Sequence, residues 1–209
     1  MKGFGNLPFG AVMLTVLCCV GGCTSAKGIW RSEIMDERSV SMEEVLQLKI
    51  DDRIYTTNNL WVVKDCVLSA DNPVGGENFL PIGTEVTPVA ASVRGVDFSD
   101  ADGRLWHLEF NAAKMQMAIE DYILQTFSTT SPEEKLSECA PEIADAIRSG
   151  RIIPGMSRDE VIMCCGIPSP VRTPAQTNGI WIYNTLTPGH SLRVIFRGST
   201  VREAAYLDK

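Results

Sequence analysis

The chain is short of histidine. His107 and His190 are the only two in 209 residues, which leaves little for imidazole acid–base chemistry or for a metal centre. There is no Cys-x-x-Cys, and no histidine neighbours Cys66, Cys139, Cys164 or Cys165 in sequence, so a redox or zinc motif lacks its parts. Positive charge is also scarce. The net charge is −7, and removing Met1–Gly22, whose one charge is Lys2, takes it to −8. Nucleic acid and electrostatic adhesion to anionic lipid are excluded as modes of binding. No Ser/His/Asp or Cys/His set has supporting context, and Gly75-Gly76 lacks the strand–glycine–helix frame of a phosphate loop. These absences predict a protein that is not an enzyme and carries no cofactor and no metal.

What is present begins with a leader. Met1 to Gly22 has one positive residue and an apolar segment from Phe9 to Val20, too short to span a bilayer and suited to a signal-peptide core. Val20-Gly21-Gly22-Cys23 resembles the lipobox of bacterial lipoproteins. That resemblance implies cleavage before Cys23 and acylation, palmitate included, of its thiol. Several acyl chains on one cysteine hold a protein to a membrane far better than one. Thr24, not aspartate, follows the anchor, which by the same resemblance implies sorting to the outer membrane on its periplasmic side.

The stretch Pro154 to Pro168 is the most fully specified. Ser157 is an N-cap, and Glu160 completes a Ser-x-x-Glu capping box. Met156 and Val161 form the hydrophobic staple, and Gly166 with Pro168 ends the helix. Its apolar stripe, Val161, Cys164 and Cys165, requires a sheet to lie on. That sheet is expected from Ile180–Tyr183, read as covered on both faces, then Leu192, Val194 and Phe196 alternating with polar residues, then Val201–Leu207.

The ordered series Gly155-Met156-Ser157, Glu160-Val161, Gly166-Ile167-Pro168, Trp181-x-Tyr183, Pro188-Gly189 and Phe196 is similar to the SmpA/OmlA (BamE-like) domain family of outer-membrane lipoproteins. The match runs from about Arg151 to Asp208. It implies a two-helix, three-stranded antiparallel domain that supports outer-membrane protein assembly or envelope integrity through protein–protein contacts, with barrel-assembly proteins or other envelope proteins as partners. By the same resemblance Arg172, Trp181 and Tyr183 become partner-binding candidates. From the residues alone, Trp181 and Tyr183 read rather as core.

Between leader and C-terminal domain, Thr24–Leu48 reads as a tether with one short helix from Ser41. Ile50–Asn111 reads as all β, and Leu80-Pro81-Ile82-Gly83-Thr84-Glu85-Val86 resembles a strand of small bacterial Src-homology-3-like barrels. Asp97, Asp100, Asp102 and Gly103 lack a complete calcium loop and read as a hairpin tip, with His107 and Glu109 on a solvated strand face. A helix is predicted from Asn111 to Phe127, a polar joint over 126–130, a capping box at Ser131–Glu134 and a further helix from Pro141. The cysteines read as small apolar residues on a buried helix face; if any bridge forms, Cys139 pairs with Cys164 or Cys165.

The expected class is therefore α+β: signal peptide 1–22, anchor and tether 23–49, a small all-β module with trailing helix 50–130, and the SmpA/OmlA-like domain 131–209. The alternative is a peptidoglycan- or peptide-binding, or inhibitor-like, periplasmic lipoprotein outside the barrel-assembly pathway.

Overall fold

The computed structural model describes residues 38–76, 78–176 and 179–208. Cys23 and the leader lie outside the described residues. The architecture is mixed α+β: a curled eight-stranded sheet, a three-stranded sheet and a few short helices.

The first sheet is made of β1 (Ile54–Thr56), β2 (Leu60–Lys64), β3 (Val67–Ser69), β4 (Phe79–Leu80), β5 (Glu85–Ser92), β6 (Gly95–Asp100), β7 (Leu105–Glu109) and β8 (Phe127–Ser128). Its order is β4-β2-β3-β7-β6-β5-β1-β8, antiparallel throughout except for the β3–β7 pair. Trp106, Leu108 and Phe110 point to one side and are buried with Leu60, Leu68 and Phe98, as the period of two in that segment requires. Helix α1 (Met42–Val45), capped by Ser41, drops Met42 into the same core. Val40 N–H donates to Ala91 C=O at 2.9 Å. The chain from Arg38 onward thus packs on the sheet, in a segment whose composition reads as tether.

The helix expected over 111–127 is two helices. Asn111 caps α2 (Ala112–Met115), its Oδ1 accepting from Lys114 N–H at 3.0 Å. Gln116 then turns left-handed (φ 52°), and α3 (Ile119–Thr126) starts afresh after an extended Ala118. The break lets Met115 and the Ile119/Tyr122/Ile123 stripe enter one core. The polar joint is also partly ordered: Phe127 pairs with Thr56 and Ser128 with Tyr55, closing the sheet edge.

After residue 131 come three helices, α4 (Glu133–Glu138), α5 (Pro141–Arg148) and α6 (Arg158–Cys165), the three that the caps and Pro141 mark in the sequence, where the family resemblance implies two. Cys139 and Ala140 are extended ahead of Pro141, the geometry that proline imposes on its predecessor. No capping box forms at Ser131; its Oγ accepts from Glu133 N–H at 3.4 Å, and Pro132 begins the first turn. The three-stranded sheet, β9 (Ile180–Asn184), β10 (His190–Arg197) and β11 (Thr200–Asp208), is an antiparallel meander in the order β11-β10-β9, with a bulge at Ile195/Phe196. Strand β9 is not covered on both faces. Trp181 and Tyr183 are buried, while Ile180 is 48% exposed and Ile182 is half-buried, because helices cover only one side of this sheet.

Among the described residues no helix is long and apolar enough to cross a membrane.

Candidate functional site

Helix α6 is built as the sequence specifies at its start. Ser157 Oγ accepts from Glu160 N–H at 3.3 Å, and Glu160 Oε2 accepts from Ser157 N–H at 2.6 Å. Met156 and Val161 are both buried in the second core. Gly155, with φ +97°, donates its N–H to Val201 C=O, and Val201 donates to Met156 C=O at 2.7 Å. The cap is thereby pinned to β11.

The C-terminal end differs from the simple glycine cap. Gly166 has φ 73° and ψ −171°, a conformation that only glycine adopts freely. Four carbonyls at the end of a helix lack intrahelical donors. Here Ile162 C=O accepts from Gly166 N–H, and Met163 C=O from Asn59 N–H at 3.2 Å. Cys164 C=O accepts from Asn59 Nδ2 at 3.0 Å, and Cys165 C=O from Asn72 Nδ2 at 2.7 Å. Two asparagines from the 50–130 stretch therefore cap a helix that follows residue 131. Asn59 Nδ2 also donates to Ile147 C=O at 2.7 Å, at the end of α5, while its Oδ1 accepts from Ile82 N–H at 2.9 Å. Asn72 Oδ1 accepts from Trp61 N–H at 2.8 Å. Asn58 Nδ2 donates to Asn59 C=O at 2.7 Å. All three asparagines are buried. A Cβ on Gly166 would lie 2.9 Å from Asn72 Nδ2 and 3.0 Å from Asn58 Nδ2, so glycine is required there for space as well as for φ. Pro168, beyond it, is buried.

This seam has an apolar continuation. Trp61, Val74 and Ile82, from the 50–130 stretch, sit in the second core with Leu136, Ile147, Val161 and Trp181. Val74 also bridges in parallel to Thr185, its N–H donating to Asn184 C=O at 2.9 Å. Nothing in the local sequence of Asn58-Asn59 or Asp71-Asn72 announces this. Both read as turn residues, and only the tertiary fold brings them to the helix ends.

Of the contact candidates, Trp181 and Tyr183 are each 1% exposed, so neither ring is available to a partner. Trp181 stacks edge-on against Phe196 with centroids 4.8 Å apart. Tyr183 donates its hydroxyl to Gly166 C=O at 3.0 Å, and burial holds its pKa well above the ordinary phenol value, with Cys165 and Cys164 adding to the effect. Arg172 is exposed beside Val171, on the loop that connects α6 to β9. Two residues of that loop are tied to β9. Thr173 Oγ1 accepts from Ile182 N–H at 2.9 Å, and Trp181 Nε1 donates to Gln176 C=O at 2.9 Å. Around this loop and the outward side of the meander, Val171, Arg172 and Ile180 reach solvent, and Ile182 and Ile195 are half-buried.

The four described cysteines are free; Cys139 does not bridge to Cys164 or Cys165. The Cys165 thiol is held well above its usual pKa by its hydrogen bond with Cys164 and by burial. Burial and then Glu160 raise Cys139. Both stay neutral thiols, poor nucleophiles near neutral pH. At the β6–β7 hairpin, Asp100 Oδ1 accepts from Asp102 and Arg104 N–H, and Oδ2 accepts from Trp106 Nε1 at 2.9 Å, so this carboxylate serves the turn. His107 pairs with Asp97 at 2.5 Å across the β6–β7 register, not with Glu109. Among the described residues, no group of three or more His, Cys, Asp or Glu is placed to hold a metal ion.

The chain matches no family model, no curated protein and no solved structure.

Proposed function

We propose that this is an outer-membrane-anchored periplasmic lipoprotein, held by acylated Cys23, that supports outer-membrane protein assembly or envelope integrity through protein–protein contacts and without catalysis. In this reading residues 131–209 are an SmpA/OmlA (BamE-like) domain, and the curled sheet is a Src-homology-3-like module fused to it. The observation that carries the reading is a capping-box helix seated on one face of a three-stranded antiparallel meander, in the same order of motifs as the family resemblance. The meander's other face keeps three half-buried or exposed isoleucines, Ile180, Ile182 and Ile195. Single exposed apolar side chains need no explanation, but contiguous ones mark contact sites, and Ile195 lies directly across the strand pair from Ile180.

Two measurements test it. Labelled palmitate should enter the native chain and be lost in Cys23→Ala. Detergent extracts should yield barrel-assembly or other envelope proteins with the chain, and Ile180→Asp/Ile195→Asp should reduce that recovery. An unlabelled chain in the aqueous fraction, or a pull-down free of envelope proteins, sinks the proposal. Peptidoglycan or peptide binding is the second reading, with the curled first sheet as the ligand module. Co-sedimentation with purified cell wall separates the two.

A further inference from the structure

Charge is unevenly divided along the chain. Residues 38–150 carry nine lysines and arginines against nineteen acids, whereas 151–208 carry six arginines against four acids. In the earlier part Arg38, Arg53 and Arg148 pair with Glu120, Glu85 and Glu133. On the meander two arginines go unmatched. The side chains of Arg193 and Arg197 make no ion pair or hydrogen bond with any described residue.

Both lie on the central strand. Val194 and Phe196 of β10 are buried in the second core, so the period of two sends Arg193, Ile195 and Arg197 to the opposite face. Outward, β10 therefore reads cation, isoleucine, cation, with successive members about 7 Å apart. Strand β9 sets Ile182 beside Arg193 and Ile180 beside Ile195, and β11 sets Ala205 and Glu203 on the other side. Arg193 is half-buried among these neighbours, and its Nε is enclosed with no hydrogen-bond partner among the described residues. Part of a cation has thus been taken from water with no counter-charge supplied. A carboxylate brought to it competes with less water than at an open surface. Glu203 does not serve, since it stands opposite Ile195 and pairs with neither arginine.

We infer that the outward face of the meander binds an acidic segment of another protein, with carboxylates on Arg193 and Arg197 and an apolar residue between them on Ile195 and Ile180. This rests on the contact reading above for the choice of face, and adds the chemistry of the partner. Anionic lipid headgroups would meet the arginines too, but a headgroup layer has no apolar group at fixed spacing to set on the isoleucine between them. The acid-rich 38–150 part is also repelled from such a surface. The order acid, apolar, acid is one that a polypeptide supplies.

The test is photocrosslinking in intact cells from position 205, directly across the strand pair from Arg193. A benzophenone side chain there should join to a segment of another protein, and mass mapping of the joined peptide should find Asp or Glu on both sides of an apolar residue. Arg193→Glu and Arg197→Glu should each lower the yield by about tenfold. Arg197 is exposed, so its variant keeps the experiment readable if Arg193→Glu fails to fold. Changing an acid of the mapped segment to Lys should restore the yield with one of these two variants. A joined segment without acids, or a yield that both reversals leave unchanged, overturns the inference. So does joining to phospholipid alone, to a second copy of this chain alone, or to nothing. An acidic segment from a protein outside the envelope would sink the envelope reading and leave this inference standing, so the two failures are distinguishable.

Discussion

Asn59 is the residue with most at stake. Its side chain serves Ile147 C=O, Cys164 C=O and Ile82 N–H at once. A buried group stripped of its partner costs about 1–3 kcal/mol, so Asn59→Ala should destabilise the chain by at least about 3 kcal/mol, read as a lowered urea midpoint at unchanged slope. An unmoved midpoint would mean that the helix-end carbonyls find other donors. Gly166→Ala meets strained φ and two carboxamides closer than a Cβ tolerates; the expected loss is about 2–4 kcal/mol. Tyr122 offers a pH test. Burial pushes its phenol up to about 12, against a hydrogen bond with Thr126 that lowers it and with Asp71 nearby that raises it. A raised folded pKa means that the fold prefers the protonated form. Stability from this group is therefore fully present below the unfolded pKa near 10 and is lost as pH climbs toward 12. The linked energy is of order 2–3 kcal/mol. Tyr122→Phe should flatten the alkaline limb of stability against pH, and a limb of unchanged steepness would contradict the assignment.

At the scale of elements, the legible parts are those whose partners lie close in sequence. The capping box of α6 could be read from Ser157 and Glu160, because three residues separate donor from acceptor. The alternation of Leu192, Val194 and Phe196 gave β10 its inner face in the same way. What failed had distant causes. Whether Ile180 and Ile182 are covered depends on which side of the meander carries helices, and β9 itself carries no mark of that. The break at Gln116 is not written locally either, since Lys114-Met115-Gln116-Met117 reads as good helix. It follows from fitting Met115 and α3 to one curled sheet. A non-glycine residue in the left-handed region costs about 1–2 kcal/mol. Gln116→Gly should therefore raise the thermal midpoint or leave it unchanged; a clear fall would show that the Gln116 side chain holds the corner. Ser157→Ala should cost about 1 kcal/mol by removing the cap, with Arg158–Cys165 losing protection from amide exchange before the rest of the chain.

For the whole molecule, the sequence divides at the polar stretch after Phe127, yet the second core takes Trp61, Val74 and Ile82 from before it. Composition cannot reveal such sharing, because each of these residues suits a strand or turn of its own module equally well. The thermodynamic consequence is cooperativity. Calorimetry on the intact chain should show one transition, and two resolved peaks would mean that the halves melt separately.

The carboxamide seam also has a mechanical consequence. A pull applied ahead of Arg38 enters at the first sheet and is handed to the C-terminal meander through Asn59 and Asn72, without a swivel between them. Label pairs, one on each sheet, should report a single narrow spacing whatever load the chain is under. A single spacing would mean that the body turns as one handle, and that whatever grips the meander holds the entire described chain.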